Sequence, residues 1–149
     1  MIQCRTELDD NRCLIYVKER DITTETINNP VTIVDFMNKH FHTDRLSSEN
    51  VFAIFYDQRL QPISISHIGI GEVNTSIVSI RQICSIALMS NASSVVLIHN
   101  HPSGNTEPSG EDCEVTKKVN NALQMFGIHL VDHIVIGTGY TSFHERRLI

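Results

Sequence analysis

The run SSVVLIHN, residues 93–100, limits what this chain can fold into more than any other stretch. Its unbroken apolar centre is short for a helix and shows no polar alternation. That suits a central strand whose last residues emerge at the end of a sheet. SGEDCEVTKKVNNALQMFG (109–127) follows with the length of a long helix and reaches Gly127 where helices commonly close. IHLVDHIVIG (128–137) then returns as a strand.

The rest of the chain supplies matching pieces. NRCLIYVKE (11–19) reads as a strand. NNPVTIVDFMNKHF (28–41) reads as an amphipathic helix, with Asn29 as N-cap, Pro30 in the first turn and an apolar stripe of Val31, Val34 and Met37 or Phe36. VFAIFYD (51–57) and PISISHIGI (62–70) form a hairpin across QRLQ, and the Ser64, Ser66 alternation predicts one wet face. SIRQICSIALMSN (79–91) starts with Ser79 and Gln82 in capping-box spacing and puts Ile80, Ile83, Cys84, Ala87 and Leu88 on one face. YTSF (140–143) adds a short strand. Interleaved strands and helices with one hairpin predict an α/β fold, a mixed sheet flanked by helices. At 149 residues the chain suits a single domain, 1–149, burying about 70% of its unfolded surface.

Charge and composition narrow the function. With 12 basic and 17 acidic residues and a net charge of −5, there is no basic cluster beyond Arg146-Arg147, so strong nucleic-acid binding is not expected. The four cysteines lack C-x-x-C spacing and read as buried or half-buried thiols in a reducing compartment. The start carries acids where a signal peptide needs an apolar run, and no stretch reaches membrane-span length, so a cytoplasmic, membrane-free protein is expected.

Chemistry concentrates in HNHPSGNTEPSGED, residues 99–112. His99 and His101 are two apart at a strand end, where alternate side chains share a face and both imidazoles can reach one ion. Asp112, in the first turn of the next helix, can point back as an oxygen ligand. Three ligands leave a fourth position open, as in catalytic rather than structural zinc sites. Ser109 and Asp112 also have capping-box spacing, a common way for a helix to begin. His40-Phe41-His42 with Asp44 serves as an internal control: at a helix end, residues two apart diverge by about 200° and do not share an ion.

The pattern H-x-H-x7-S-x2-D, with HNHPSGNTEPSGED and LVDHIVIG around it, resembles the JAB/MPN/JAMM metalloprotease family and within it the bacterial RadC branch. The likeness covers residues 46–149, leaving a strand and a helix in 1–45. It implies a three-layer architecture like that of cytidine deaminases and a Zn2+ ion held by His99, His101 and Asp112. It also implies a catalytic glutamate just before the first hairpin strand, the place of Glu49, and a role for Ser109 in hydrogen-bonding water or a developing oxyanion. A zinc-activated water would then cleave a peptide or isopeptide bond in a peptide or protein substrate, Glu49 taking the proton and passing it to the leaving amine.

Glu72, where the RadC branch usually carries threonine, is the rival base, and Gln82 departs from the glutamate common near that helix start. Cys113 reads as helix packing. Asp132 and His133 point to opposite faces of a strand, so at most one faces the ligands, in a structural or ligand-orienting role. His67, His129 and His144 have no partner spacing.

An alternative implied by the RadC likeness is a non-catalytic, accessory part in DNA repair or a mobile-element complex, acting through protein partners. The acidic charge does not favour it, and residues 1–45 are too short for the helix-hairpin-helix region of full-length relatives. Zinc deaminases need H-x-E with a downstream P-C-x-x-C, which is absent.

Overall fold

A computed structural model describes residues 1–22, 26–71 and 78–149. Among them the elements run β1 (Ile2–Leu8), β2 (Leu14–Asp21), α1 (Pro30–Phe41), β3 (Asn50–Tyr56), β4 (Pro62–Ile70), α2 (Ile80–Met89), β5 (Ser94–Asn100), α3 (Gly110–Gln124), β6 (His129–Ile136) and β7 (Tyr140–Ser142). The strands join in one sheet of order β2-β1-β4-β3-β5-β6-β7. β5 runs antiparallel to β3 and parallel to β6, with α3 as the crossover that a parallel pair requires. This is a mixed α/β fold consistent with the JAB/MPN architecture.

Central strands explain the layering. β3 and β5 are buried along their whole length, so their alternate residues feed two separate cores. Val51, Ala53, Phe55, Val95 and Leu97 pack with Ile83, Ile86 and Ala87 of α2 and Val115, Val119 and Leu123 of α3. Phe52, Ile54, Val96 and Ile98 pack with Ile33, Phe36 and Met37 of α1 on the other face. Helices therefore cover both faces of the sheet. None among the described residues is long and apolar enough to cross a membrane.

Helix starts follow their caps. Asn29 accepts from Thr32 N–H in a full capping box, Ser79 accepts from Gln82 N–H, and Ser109 and Asp112 cap each other.

Five expectations are corrected. β1, in the weakly apolar IQCRTEL, pairs with β2 and also meets β4. Because β4 thus lies between two strands with its face covered, Ser64 and Ser66 are both fully buried rather than wet. The α1 stripe is Ile33, Phe36 and Met37 with Val34 partly buried beside it, so Phe36 and Met37 stand as expected, but Ile33 takes the place given to Val31, which is half exposed. In α2 the buried set is Ile83, Ile86 and Ala87, while Leu88 faces solvent. All four cysteines are free thiols; Cys4 is buried, Cys84 and Cys113 are half-buried, and Cys13 lies exposed between β1 and β2, against the expected burial.

Candidate metal centre

β5 ends where α3 begins, and that junction gathers the polar side chains. His99 is fully buried and faces α3, as Val95 and Leu97 do; His101 follows on the same side just past the strand. Residues 102–108 turn the chain back. Gly104 takes φ +80°, and its carbonyl accepts from the backbone N–H and hydroxyl of Thr138. A Cβ on Gly137 would stand 2.4 Å from that carbonyl, so the close approach requires glycine there. Arg146 forms two hydrogen bonds of 2.7 and 2.8 Å to Glu107, tying the turn to the C-terminal segment rather than standing free in solvent.

The first turn of α3 aims Asp112. Its Oδ2 accepts from the Ser109 backbone N–H and hydroxyl, each at 2.7 Å, while Ser109 Oγ accepts from Asp112 N–H at 3.0 Å. Oδ1 is buried with no hydrogen-bond donor assigned to it and sits 3.2 Å from His99 Nε2. His101 Nε2 is 2.9 Å from His99 Nε2 and 3.6 Å from Asp112 Oδ2. Burial alone pushes the Asp112 carboxyl up, but a protonated His99, through its hydrogen bond and charge, and the Ser109 donors outweigh it. The net displacement is well below the ordinary carboxylate range.

Hydrogen bonds behind the cluster fix which nitrogens carry protons. Thr116, one helical turn after Asp112, donates its only hydroxyl proton to the Asp112 carbonyl at 2.6 Å. It must therefore accept from His133 Nδ1–H, 2.7 Å away. Burial first, then the charge of His99, hold His133 far below the usual imidazole range despite the opposing pull of Asp112, so its ring is neutral. His133 Nε2 is then a bare acceptor for His99 Nδ1–H at 2.8 Å, and in a neutral His99 ring, the form that binds a metal, Nε2 is left bare as well. His101 Nδ1 donates to the Asn105 carbonyl at 2.7 Å, and in the neutral ring its Nε2 too is bare. Two lone pairs and an unpartnered carboxylate oxygen thus converge. A cation among them relieves their mutual repulsion, and the donor set of two imidazole nitrogens and one carboxylate oxygen suits a divalent metal ion. Among the described residues, His99, His101 and Asp112 form a group with ligand atoms all within 4.8 Å of one another, able to hold a metal ion.

Glu49 lies just before β3, two residues ahead of Val51, which pairs with His99 in the antiparallel ladder, and strand alternation assigns it the face of Val51 and His99. Its carbonyl accepts from Gly71 N–H at 2.8 Å. Glu49 is half-buried and lines an open cleft of about 350 Å³ with Ser47, Ser48, Gly71 and Pro102. A second, polar cleft of about 640 Å³ lies across Pro102, between His101, Asn38 and the Gly137–Gly139 turn. The rival Glu72 lies outside the described residues.

A family model for the RadC-like JAB domain matches residues 27–148, taking in α1 as well as the motif. The chain belongs to the RadC-like JAB domain family. Similar relatives of this JAB domain include UPF0758 proteins from three bacteria. That of Caldanaerobacter subterraneus subsp. tengcongensis is 37% identical over 76% of this chain and 48% of its own length. That of Clostridium acetobutylicum is 38% identical over 69% and 45%. That of Haemophilus influenzae is 36% identical over 90% and 60%. The chain spans about half the length of the curated relatives it matches.

Other predicted positions fall outside the cluster. Asp132 faces away from the ligands and accepts from His133 N–H, His144 N–H and the Ser142 hydroxyl, fixing the turn after β7. His67 hydrogen-bonds Asn50 Oδ1 at 2.8 Å, a partner its sequence spacing did not reveal. Sequence reasoning missed Thr116 and Asn105; the four-residue spacing from Asp112 to Thr116 was a visible signal, whereas the Asn105 carbonyl had none.

Proposed function

We propose that this JAB domain is a zinc-dependent hydrolase that cleaves a peptide or isopeptide amide bond with an activated water. The observation that supports it is the convergence of bare His99 Nε2, bare His101 Nε2 and unpartnered Asp112 Oδ1 beside a carboxylate-bearing cleft. Zinc held there by His99, His101 and Asp112 would supply a water whose pKa falls from ~15.7 to ~7 and a Lewis acid for the scissile carbonyl.

The chain's own residues supply the rest. Glu49, on the face of the ligand histidines, would accept the water's proton and return it to the leaving amine. Ser109, whose hydroxyl proton goes to Asp112 Oδ2 in the resting site, would turn it to the oxyanion as negative charge develops, the Ser109 backbone N–H keeping its bond to the carboxylate. His133 and Thr116 keep the His99 proton on Nδ1, away from the ion. No nucleophilic side chain is needed, which leaves Cys113 without a catalytic part.

Two measurements test this. Chelator-stripped protein titrated with zinc should bind one ion, and His99→Ala or Asp112→Ala should abolish stoichiometric binding; wild-type protein that binds none would sink the reading. Zinc-loaded Glu49→Gln, assayed on a fluorogenic peptide library, should keep its metal and lose about 100-fold or more in rate. Full activity in that variant, with loss in Glu72→Gln, would move the base to Glu72.

A further inference from the structure

We propose that Asn100 is a positioning residue: its side-chain amide, through a buried lattice spanning three strands, holds Glu49 at the candidate metal centre. This rests on the reading of Glu49 as the base.

Asn100 stands between His99 and His101 but points to the opposite face of the sheet, toward α1, with Val96 and Ile98. Only 1% of it is exposed, and asparagine is depleted in strands, so its place at the end of β5 needs a compensating interaction. That interaction is to the segment around Glu49. Asn50 N–H donates to Asn100 Oδ1 at 2.9 Å, and Asn100 Nδ2 donates to the Ser48 carbonyl at 3.0 Å. Asn50 Nδ2 donates to the same carbonyl at 2.9 Å, and Asn50 Oδ1 accepts from His67 Nε2 at 2.8 Å. His67 is stacked on Phe52 with ring centroids 4.7 Å apart, and Phe52 lies against Phe41 of α1 at 5.1 Å.

The lattice therefore fixes the carbonyl of the peptide before Glu49 and the N–H of the peptide after it, while Gly71 N–H fixes the Glu49 carbonyl. Asn and Glu thereby divide the two faces of one strand-end pair. The asparagines lock the backbone from the α1 side, and Glu49 is presented on the side of His99 and His101. Because the amide that holds Glu49 sits between the two histidines in sequence, ligands and base share one rigid strand end. The site needs both a donor and an acceptor in one plane, which asparagine supplies and an apolar residue does not. Without the Asn100 amide the buried Asn50 N–H is left unpaired, with a desolvation penalty that displaces the segment, and the Ser48 carbonyl keeps only its bond from Asn50 Nδ2.

The test uses the full chain loaded with Co2+ and the pH midpoint of its visible absorption bands. A carboxylate held beside the ion's open position opposes loss of a proton there, so Glu49→Gln lowers the midpoint by about one unit. Asn100→Ala should lower it in the same direction in the wild-type background and leave it unmoved in the Glu49→Gln background, the non-additivity expected of a residue that acts through another. If Glu49→Gln shifts the midpoint and Asn100→Ala does not, or shifts it equally in both backgrounds, the positioning role is overturned alone. If Glu49→Gln is itself silent, the base assignment falls and the positioning role falls with it. Should Asn100→Ala fail to fold or to bind one Co2+, Asn100→Asp replaces it with the same outcomes, since it keeps the shape and the acceptor for Asn50 N–H but sets oxygen against the Ser48 carbonyl.

Discussion

The molecule carries the same ingredients twice. Around α1 there is a capping box, Asn29 with Thr32, and an H-x-H with a nearby acid, His40, His42 and Asp44. At the β5–α3 junction there is a capping box, Ser109 with Asp112, and an H-x-H, His99 and His101. The second set converges within 4.8 Å, and among the described residues the first forms no such group. Order along the chain makes the difference. In α1 the cap comes first and the histidines sit at the helix end, where His40 packs on Phe36 at 4.7 Å and His42 leaves the helix with φ 53°. At β5 the histidines come first, on a strand that turns them to one face, and the cap's own acid then returns to meet them. A spacing becomes a site only through the backbone that carries it.

The largest expected contrast is in metal binding. His99→Ala or Asp112→Ala should weaken zinc binding by more than the ~10–100-fold that loss of a ligand's hydrogen-bonding partner costs, while the double variant His40→Ala/His42→Ala keeps the wild-type affinity. Calorimetric titration with zinc checks both. Equal losses at the two places would erase the distinction between strand and helix end. The same contrast should appear in thermal melts: zinc at about 100 times its Kd stabilises a chain that binds it only when folded by about 2.7 kcal/mol. That gain should vanish in Asp112→Ala and persist in the helix-end variant.

Behind the ligands the effect is smaller and tests the proton bookkeeping. His133→Ala should cost about 10–100-fold in zinc affinity, because His99 loses the acceptor that keeps its proton on Nδ1. Thr116→Val, nearly the same shape, should cost less, since it frees the His133 tautomer without removing the ring. An affinity in His133→Ala equal to wild type would show that the His99 tautomer is set by something else.

How far the sequence could be read follows the same division between local and distant causes. The caps at Asn29, Ser79 and Ser109, the β5 run and the alternation that pairs His99 with His101 depend on neighbours within a few residues, and all are legible. Burial of Ser64 and Ser66 was not, because alternation assigns a face but not what covers it. Here β1, whose sequence is too polar to announce a strand, makes β4 an interior strand, and the serines lie on the face of Ala53 and Phe55, within the core that α2 covers. The His67–Asn50–Asn100 lattice joins segments 17 and 50 residues apart and leaves no local pattern at all. The register of β3 on β5, with Val51 against His99, is what brings the segment carrying Glu49 to the strand end that bears the histidines, and it follows from the fold.

The smallest effect separates the two capping boxes. Ser109→Ala and Asn29→Ala each remove an N-cap acceptor, and each should lower unfolding stability by about 1 kcal/mol, read from the midpoint of urea denaturation. In α1 the consequence ends there, and zinc affinity stays at the wild-type value. In α3 the hydroxyl also donates to Asp112 Oδ2, so its loss leaves that carboxylate held by the Ser109 backbone N–H alone. Zinc affinity should then fall by a few-fold, since a carboxylate with one fewer fixed bond spends less time aimed at the histidines. Ser109→Thr, which keeps the hydroxyl, should restore both the stability and the affinity. If Ser109→Ala costs stability yet leaves zinc affinity untouched, the cap in α3 is as purely structural as the one in α1, and orientation of Asp112 belongs to the backbone alone.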